Sequence, residues 1–263
     1  MPALGDMVGF QSESGFVPAF LVRPSGPEPR PAIIVIHEIF GLVDHTMDVA
    51  RRFGREGYAA LAPNLFGGPE LASVLTPPKV QMAMQFMHKL PRRDPVLAEE
   101  ELAKLAESER EAVAPTVRKL IGGLPRDRLT RDLVGAVEYL RTQPFVVRDR
   151  IGSVGFCFGG GMSIRLACET NIAACVVFYG ENPSPIEKVK DIGLYGGEDA
   201  RINAELDKLV KAMADHKKDF EMRIYPGAPH AFFNDTNPNT YRKEAAADAW
   251  DRVFRFYRRT LMS

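Results

Sequence analysis

The chain has 263 residues, 45% of them apolar and 26% charged, which is enough to bury a large core within a single domain. Lysine plus arginine equals aspartate plus glutamate at 34 each, so no net field selects nucleic acid or an anionic membrane, and a small molecule is the expected partner. The opening MPALGDMVGF has neither the basic start nor the apolar core of a signal peptide, and no apolar run reaches the length of a membrane span, so a cytoplasmic location is expected.

Residues 8–23 hold two short segments, VGFQSE and FVPAFLVRP, parted by Ser14-Gly15, which predicts an antiparallel hairpin at a sheet edge. After the proline-rich PSGPEPRP, the run AIIVI (32–36) has the continuous β-branched character of a parallel strand buried on both faces. It ends at His37-Glu38. An amphipathic helix around MDVARRFGREG and a second strand, YAALAP (58–63), complete a strand–helix–strand unit. The same rhythm returns with strands at IGSVGF (151–156), IAACVVFYG (172–180), DIGLYGG (191–197) and FEMRIYPG (220–227). Leu206, Leu209, Val210 and Met213, and Trp250, Val253, Phe254 and Tyr257, sit at helical spacing. The expected fold is a doubly wound, mostly parallel α/β sheet flanked by helices, with residues 1–263 as a single domain. Residues 69–128 interrupt it with charge and helix formers and predict a helical insertion or cap, its apolar surface supplied by Leu97, Leu102, Leu105, Val113, Val117 and Leu120. Glu100 and Lys104 are spaced there as an i,i+4 pair.

Gly155-Phe156-Cys157-Phe158-Gly159 lies between a predicted strand and a predicted helix. Two glycines bracketing a central Cys match a nucleophile elbow, a tight turn that exposes its central residue at the carboxyl end of a sheet. The turn also brings the partly positive first amides of the next helix to the sulfur, where negative charge is favoured. Cys168, inside a helical run, and Cys175, inside a buried strand, read instead as small core residues. With three cysteines and no C-x-x-C pair, neither a disulfide framework nor a zinc site is expected. An elbow calls for an acid and then a histidine after later strands, and the order Cys157, Asp199, His230 supplies them, with Glu198 as the rival acid. His45, at a helix start, His88, in the insertion, and His216, in a charged helix, compete poorly. His37-Glu38-Ile39-Phe40-Gly41 cannot be an H-E-x-x-H zinc site, because its fifth residue is glycine and it ends a strand, so no metal is expected. In α/β-hydrolases the loop after an early strand gives one oxyanion-hole amide and the residue after the nucleophile gives the other, which assigns Ile39 and Phe158.

HEIFG (37–41), GFCFGGG (155–161), GGED (196–199) and YPGAPHAF (225–232), in that order, resemble the dienelactone hydrolase family, the cysteine-using branch of the α/β-hydrolases. The resemblance covers most of the chain outside the insertion. It implies an α/β-hydrolase fold and a Cys–His–Asp triad, plus a glutamate that contacts the nucleophile in the resting enzyme, here Glu38, whose plainer role would be to accept from loop amides. In the dienelactone-cleaving members, two arginines hold the substrate carboxylate. One follows a strand-end motif of the aspartate-leucine-tyrosine type, and the other lies four residues after the catalytic histidine. This sequence has Asn64-Leu65-Phe66-Gly67-Gly68 at the first place and Asn234 at the second. A carboxylate desolvated without cationic partners is costly, so the dienelactone acid is not carried over as substrate, and Arg92, Arg93 or Arg118 of the insertion are the candidates to replace the clamp.

The expected activity is cleavage of a small ester or lactone without a cofactor. Cys157 attacks the carbonyl to form a thioester, the Ile39 and Phe158 amides hold the oxyanion, and His230, oriented by Asp199, protonates the leaving oxygen and then activates water. A protein that binds or senses a small molecule without turnover would keep the pocket and lack cysteine-dependent hydrolysis. A thiol-redox protein would need a resolving cysteine, and Cys168 lies roughly 16 Å along the next helix. The oligomeric state is not legible from the sequence.

Overall fold

The computed structural model describes residues 5–182, 193–196, 206–218 and 221–262. Its strands are β1 (Gly5–Ser12), β2 (Gly15–Val22), β3 (Arg30–Ile36), β4 (Ala59–Pro63), β5 (Val146–Phe156), β6 (Ala174–Phe178), β7 (Gly193–Gly196) and β8 (Met222–Tyr225). They form one mixed sheet in the order β1-β2-β4-β3-β5-β6-β7-β8. The hairpin pair β1–β2 and the pair β2–β4 are antiparallel, and from β4 to β8 every pairing is parallel.

The helices among the described residues are α1 (Asp44–Arg55), α2 (Pro77–Met87), α3 (Pro95–Leu102), α4 (Glu107–Gly122), α5 (Arg126–Arg141), α6 (Phe158–Glu169), α7 (Leu206–Asp215) and α8 (Lys243–Leu261). Side chains alternate across a strand, so β3 sends Ile34 and Ile36 into the layer under α5 and α6, and Ile33 and Val35 into the layer under α1 and α8. All four are fully buried, which is why the sequence shows an unbroken apolar run instead of an alternating one. Each such side chain contributes about 1.5–3 kcal/mol of burial free energy. In α7, Leu209 and Met213 are buried, whereas Val210, expected on the same face, is exposed.

Helices α2, α3 and α4 lie between β4 and α5 and pack on one another around Ala83, Met87, Leu102, Val113 and Val117. They have local punctuation of their own. Pro95 starts α3, and the Asp94 carboxylate accepts from the Val96 and Leu97 amides at 2.9 and 3.1 Å. Their outer faces carry solvent-exposed ion pairs, where Lys104 meets Glu101 at 2.6 Å and not the expected Glu100. The expected boundary at 128 falls inside α5, because Leu129, Leu133, Ala136, Val137 and Leu140 commit that helix to the sheet.

Candidate active site

The carboxyl ends of β3, β5, β6 and β8 deliver His37-Glu38, Cys157, Tyr179 and the turn bearing His230 to one edge of the sheet, the usual place for a ligand site in such folds. Cys157 sits between β5 and α6 with φ 55° and ψ −117°, a backbone state that non-glycine residues adopt only under constraint. Its amide donates to the Phe178 carbonyl at 3.0 Å, and its carbonyl accepts from Gly160 at 3.0 Å. The flanking glycines are required by close approach. A Cβ at Gly155 would collide with the Gly159 carbonyl, and one at Gly159 with the carbonyls of Ile36 and His37. The spacing read from the sequence is thus the packing condition of the turn.

Ile39 and Phe158 line the same cavity as Cys157, and among the described residues neither amide donates to another protein group. The loop that carries Ile39 is held from beneath. The Glu38 carbonyl accepts from the Gly41 amide at 3.2 Å and pairs with His37 Nδ1 at 2.6 Å. His37 is fully buried, and burial pulls its pKa from 6.5 down to about 4.

The Glu38 side chain is also buried, and its carboxylate accepts from the Tyr179 hydroxyl at 3.3 Å and from Asn234 Nδ2 at 2.8 Å. Among the described residues, these are its hydrogen bonds, and none is formed with Cys157. Asn234, at the position of the second family arginine, is therefore turned inward onto Glu38. Burial, reinforced by the Glu38 charge, pushes the Tyr179 phenol well above its ordinary range, so it remains a donor. Behind Glu38 lies His45, which burial holds below its ordinary pKa, 3.4 Å from Asp235. Asp235 also pairs with Arg52, which ties α1 to the loop after His230.

His230 lies in the turn following β8, partly buried, with its ring 5.0 Å from that of Tyr179. The next residue, Ala231, has φ 63°, and Phe232 and Phe233 are buried as anchors. The strand before the expected acid is present as β7, but Asp199 and its rival Glu198 lie outside the described residues.

Cys157, His230, Glu38, Ile39 and Phe158 share a cavity of about 500 Å³. Its opposite wall comes from α2, α4 and the segments after them, through Met84, Met87, His88, Leu120 and Leu124. His88, a poor rival by sequence, thus reaches the same cavity as His230. Of the three insertion arginines considered above, only Arg93 lines it; Arg118 pairs with Glu99 and Arg92 lies near Asp94, both on the outer surface. A second cavity cation, Arg126, pairs with Glu181 at 2.8 Å and stands 5.9 Å from the centre of the Phe158 ring. At Gly68, the place of the first family arginine, a Cβ would meet the Arg128 guanidinium, which pairs with Glu70 and Asp132 outside this cavity.

Tyr179, Asn234, Arg126 and Glu181 stand at the site, and the motifs did not disclose them. A polar residue directly after the buried run ACVVF was the available signal for Tyr179, since that position must emerge at the carboxyl edge of the sheet.

The family model described as dienelactone hydrolase family matches residues 17–261. A protein of Saccharolobus solfataricus, provisionally named carboxymethylenebutenolidase, is 40% identical over 258 residues, covering 95% of this chain and 96% of that one. A Bradyrhizobium protein, provisionally named 2-oxo-3-(5-oxofuran-2-ylidene)propanoate lactonase, is 26% identical and covers 95% of this chain and 92% of its own. The crystal structure of a provisionally named dienelactone hydrolase from Klebsiella pneumoniae has the same fold, with a TM-score of 0.72 at 24% identity over 97% of this chain and 98% of that one. With a match that spans nearly the whole chain and this arrangement at the sheet's carboxyl edge, the chain belongs to the dienelactone hydrolase family.

Proposed function

We propose that the chain is a cysteine-dependent hydrolase that cleaves a small ester or lactone through a Cys157–His230–Asp199 triad. The observation that carries this reading is the strained φ of Cys157 at a strand-to-helix turn, in one cavity with His230 and with the two uncommitted amides of Ile39 and Phe158. Cys157 Sγ attacks the carbonyl carbon, and the charge that develops on the carbonyl oxygen falls to the two amides. His230, having taken the proton of the Cys157 thiol, delivers it to the departing oxygen as the carbon–oxygen bond breaks, leaving a thioester on Cys157. The same imidazole then takes a proton from water as the water attacks the thioester, and Cys157 is released. Asp199 orients His230, and Glu38, fixed by Asn234 and Tyr179, places a carboxylate beside the nucleophile's turn. No metal or organic cofactor enters these steps.

The substrate is a lactone bearing a carboxylate. Both relatives' names denote unsaturated lactones with a carboxylate, and Arg93, from the segment after α2, and Arg126, from the start of α5, bring positive charge to the cavity. Methionine and leucine side chains there suit the apolar part of a small ring. The test is hydrolysis of a panel of neutral esters and of neutral and carboxylated unsaturated lactones. Wild-type turnover should fall at least about 10³-fold in Cys157→Ala and His230→Ala. Arg126→Met should raise KM for the carboxylated lactones by about tenfold and leave the neutral esters unchanged. Binding without cysteine-dependent turnover would instead indicate a sensor.

A further inference from the structure

His37 has no part in the steps above, yet it is fully buried at the end of β3 and uses both ring nitrogens. The Leu65 amide donates to Nε2 at 3.2 Å. An amide nitrogen can only donate, so Nε2 is the unprotonated nitrogen of a neutral ring and the proton resides on Nδ1. The partner of Nδ1, at 2.6 Å, is the Glu38 carbonyl, which can only accept. Two backbone groups of opposite polarity thus select one tautomer. Rotation is blocked as well, because the ring meets Phe66 edge-on at 4.8 Å and stacks against Phe158 at 6.0 Å.

The Glu38 carbonyl and the Ile39 N–H belong to the same peptide unit. Because that unit is planar and trans, its C=O and N–H point in opposite directions. A donor that holds the carbonyl on one side therefore fixes the direction of the amide on the other. We propose that His37 is a positioning residue for the oxyanion hole: by donating from Nδ1 to the Glu38 carbonyl, it holds the Ile39 amide turned away from its ring, to the side where the reacting carbonyl oxygen is stabilised. The Gly41 amide donates to the same carbonyl at 3.2 Å, so His37 shares this task with the turn itself. The inference rests on the cysteine-hydrolase reading, since it assigns His37 to the oxyanion of that reaction.

Three measurements test it. In His37→Phe, which keeps a ring between Phe66 and Phe158, kcat for a cysteine-dependent ester should fall roughly 10- to 100-fold with KM within about threefold. Alkylation of Cys157 by iodoacetamide forms no oxyanion, so its rate should be unchanged in the same variant. His37→Asn, whose side-chain amide can still donate to the Glu38 carbonyl, should recover kcat to within about fivefold of wild type. An equal loss of alkylation and turnover would mean a general disturbance of the site and would overturn the inference, as would unchanged turnover. Should His37→Phe fail to fold, nitrogen-15 NMR of the wild-type protein decides. A neutral Nδ1–H ring at pH 7 supports the inference, and an Nε2–H ring overturns it. Ester turnover that survives in Cys157→Ala would instead overturn the hydrolase reading, and this inference with it.

Discussion

The two walls of the cavity are built on different principles. At the sheet edge, Cys157, Glu38, His37 and Ile39 are held by backbone hydrogen bonds and by glycines with no room for a Cβ. Opposite them, α2–α4 share a small core of their own and face solvent with exposed ion pairs such as Arg118–Glu99 and Lys104–Glu101, each worth little to stability. One wall fixes atoms for chemistry. The other supplies apolar surface and Arg93.

Substitutions on the two walls should therefore fail in different ways. The largest effect is expected at Gly159, where an added methyl meets two backbone carbonyls that cannot rotate aside. Gly159→Ala should destabilise the protein by about 4 kcal/mol or more, measured as a shift in the urea midpoint, with turnover lost alongside. Acid should act on the same wall. His37 stays neutral in the folded protein down to about pH 4, against 6.5 when exposed, so between these values the unfolded chain binds a proton that the folded chain does not. Its contribution is intact above pH 6.5 and is lost as the pH falls toward 4, a change of about 3 kcal/mol. Urea titrations at pH 7 and pH 4 should show this difference in the wild type and a smaller one in His37→Phe. On the insertion, Leu102→Ala removes a fully buried side chain and should cost about 2–3 kcal/mol. Hydrogen exchange should place that loss in α2–α4, with KM raised and the rate of Cys157 alkylation unchanged.

The sheet was legible because strands buried on both faces leave uninterrupted runs such as AIIVI, and the elbow because its two glycines keep a fixed spacing about Cys157, Gly155 to clear the turn itself and Gly159 to clear the end of β3. What escaped the sequence depends on residues brought together from distant loops. By sequence Asn234 reads as a missing arginine, and only the fold turns it onto Glu38, 196 positions away. Arg126 carries no signal in the sequence because it opens a helix committed to the sheet, while Arg118 and Arg92, plausible by location, point outward to Glu99 and Asp94. Glu101 takes the place of Glu100 beside Lys104 because α3 ends at Leu102 and Lys104 lies in the tighter turn after it, where its amide donates to the Glu101 carbonyl and i,i+3 side chains align.

The central claim is that Cys157 carries the acyl group. Rapid acid quench of turnover on an activated ester, followed by peptide mass spectrometry, observes that intermediate directly. A thioester adduct on the peptide containing Cys157, formed at least as fast as turnover and absent from Cys157→Ala, is the expected result. Steady turnover with no adduct at Cys157, retained in Cys157→Ala, would contradict it.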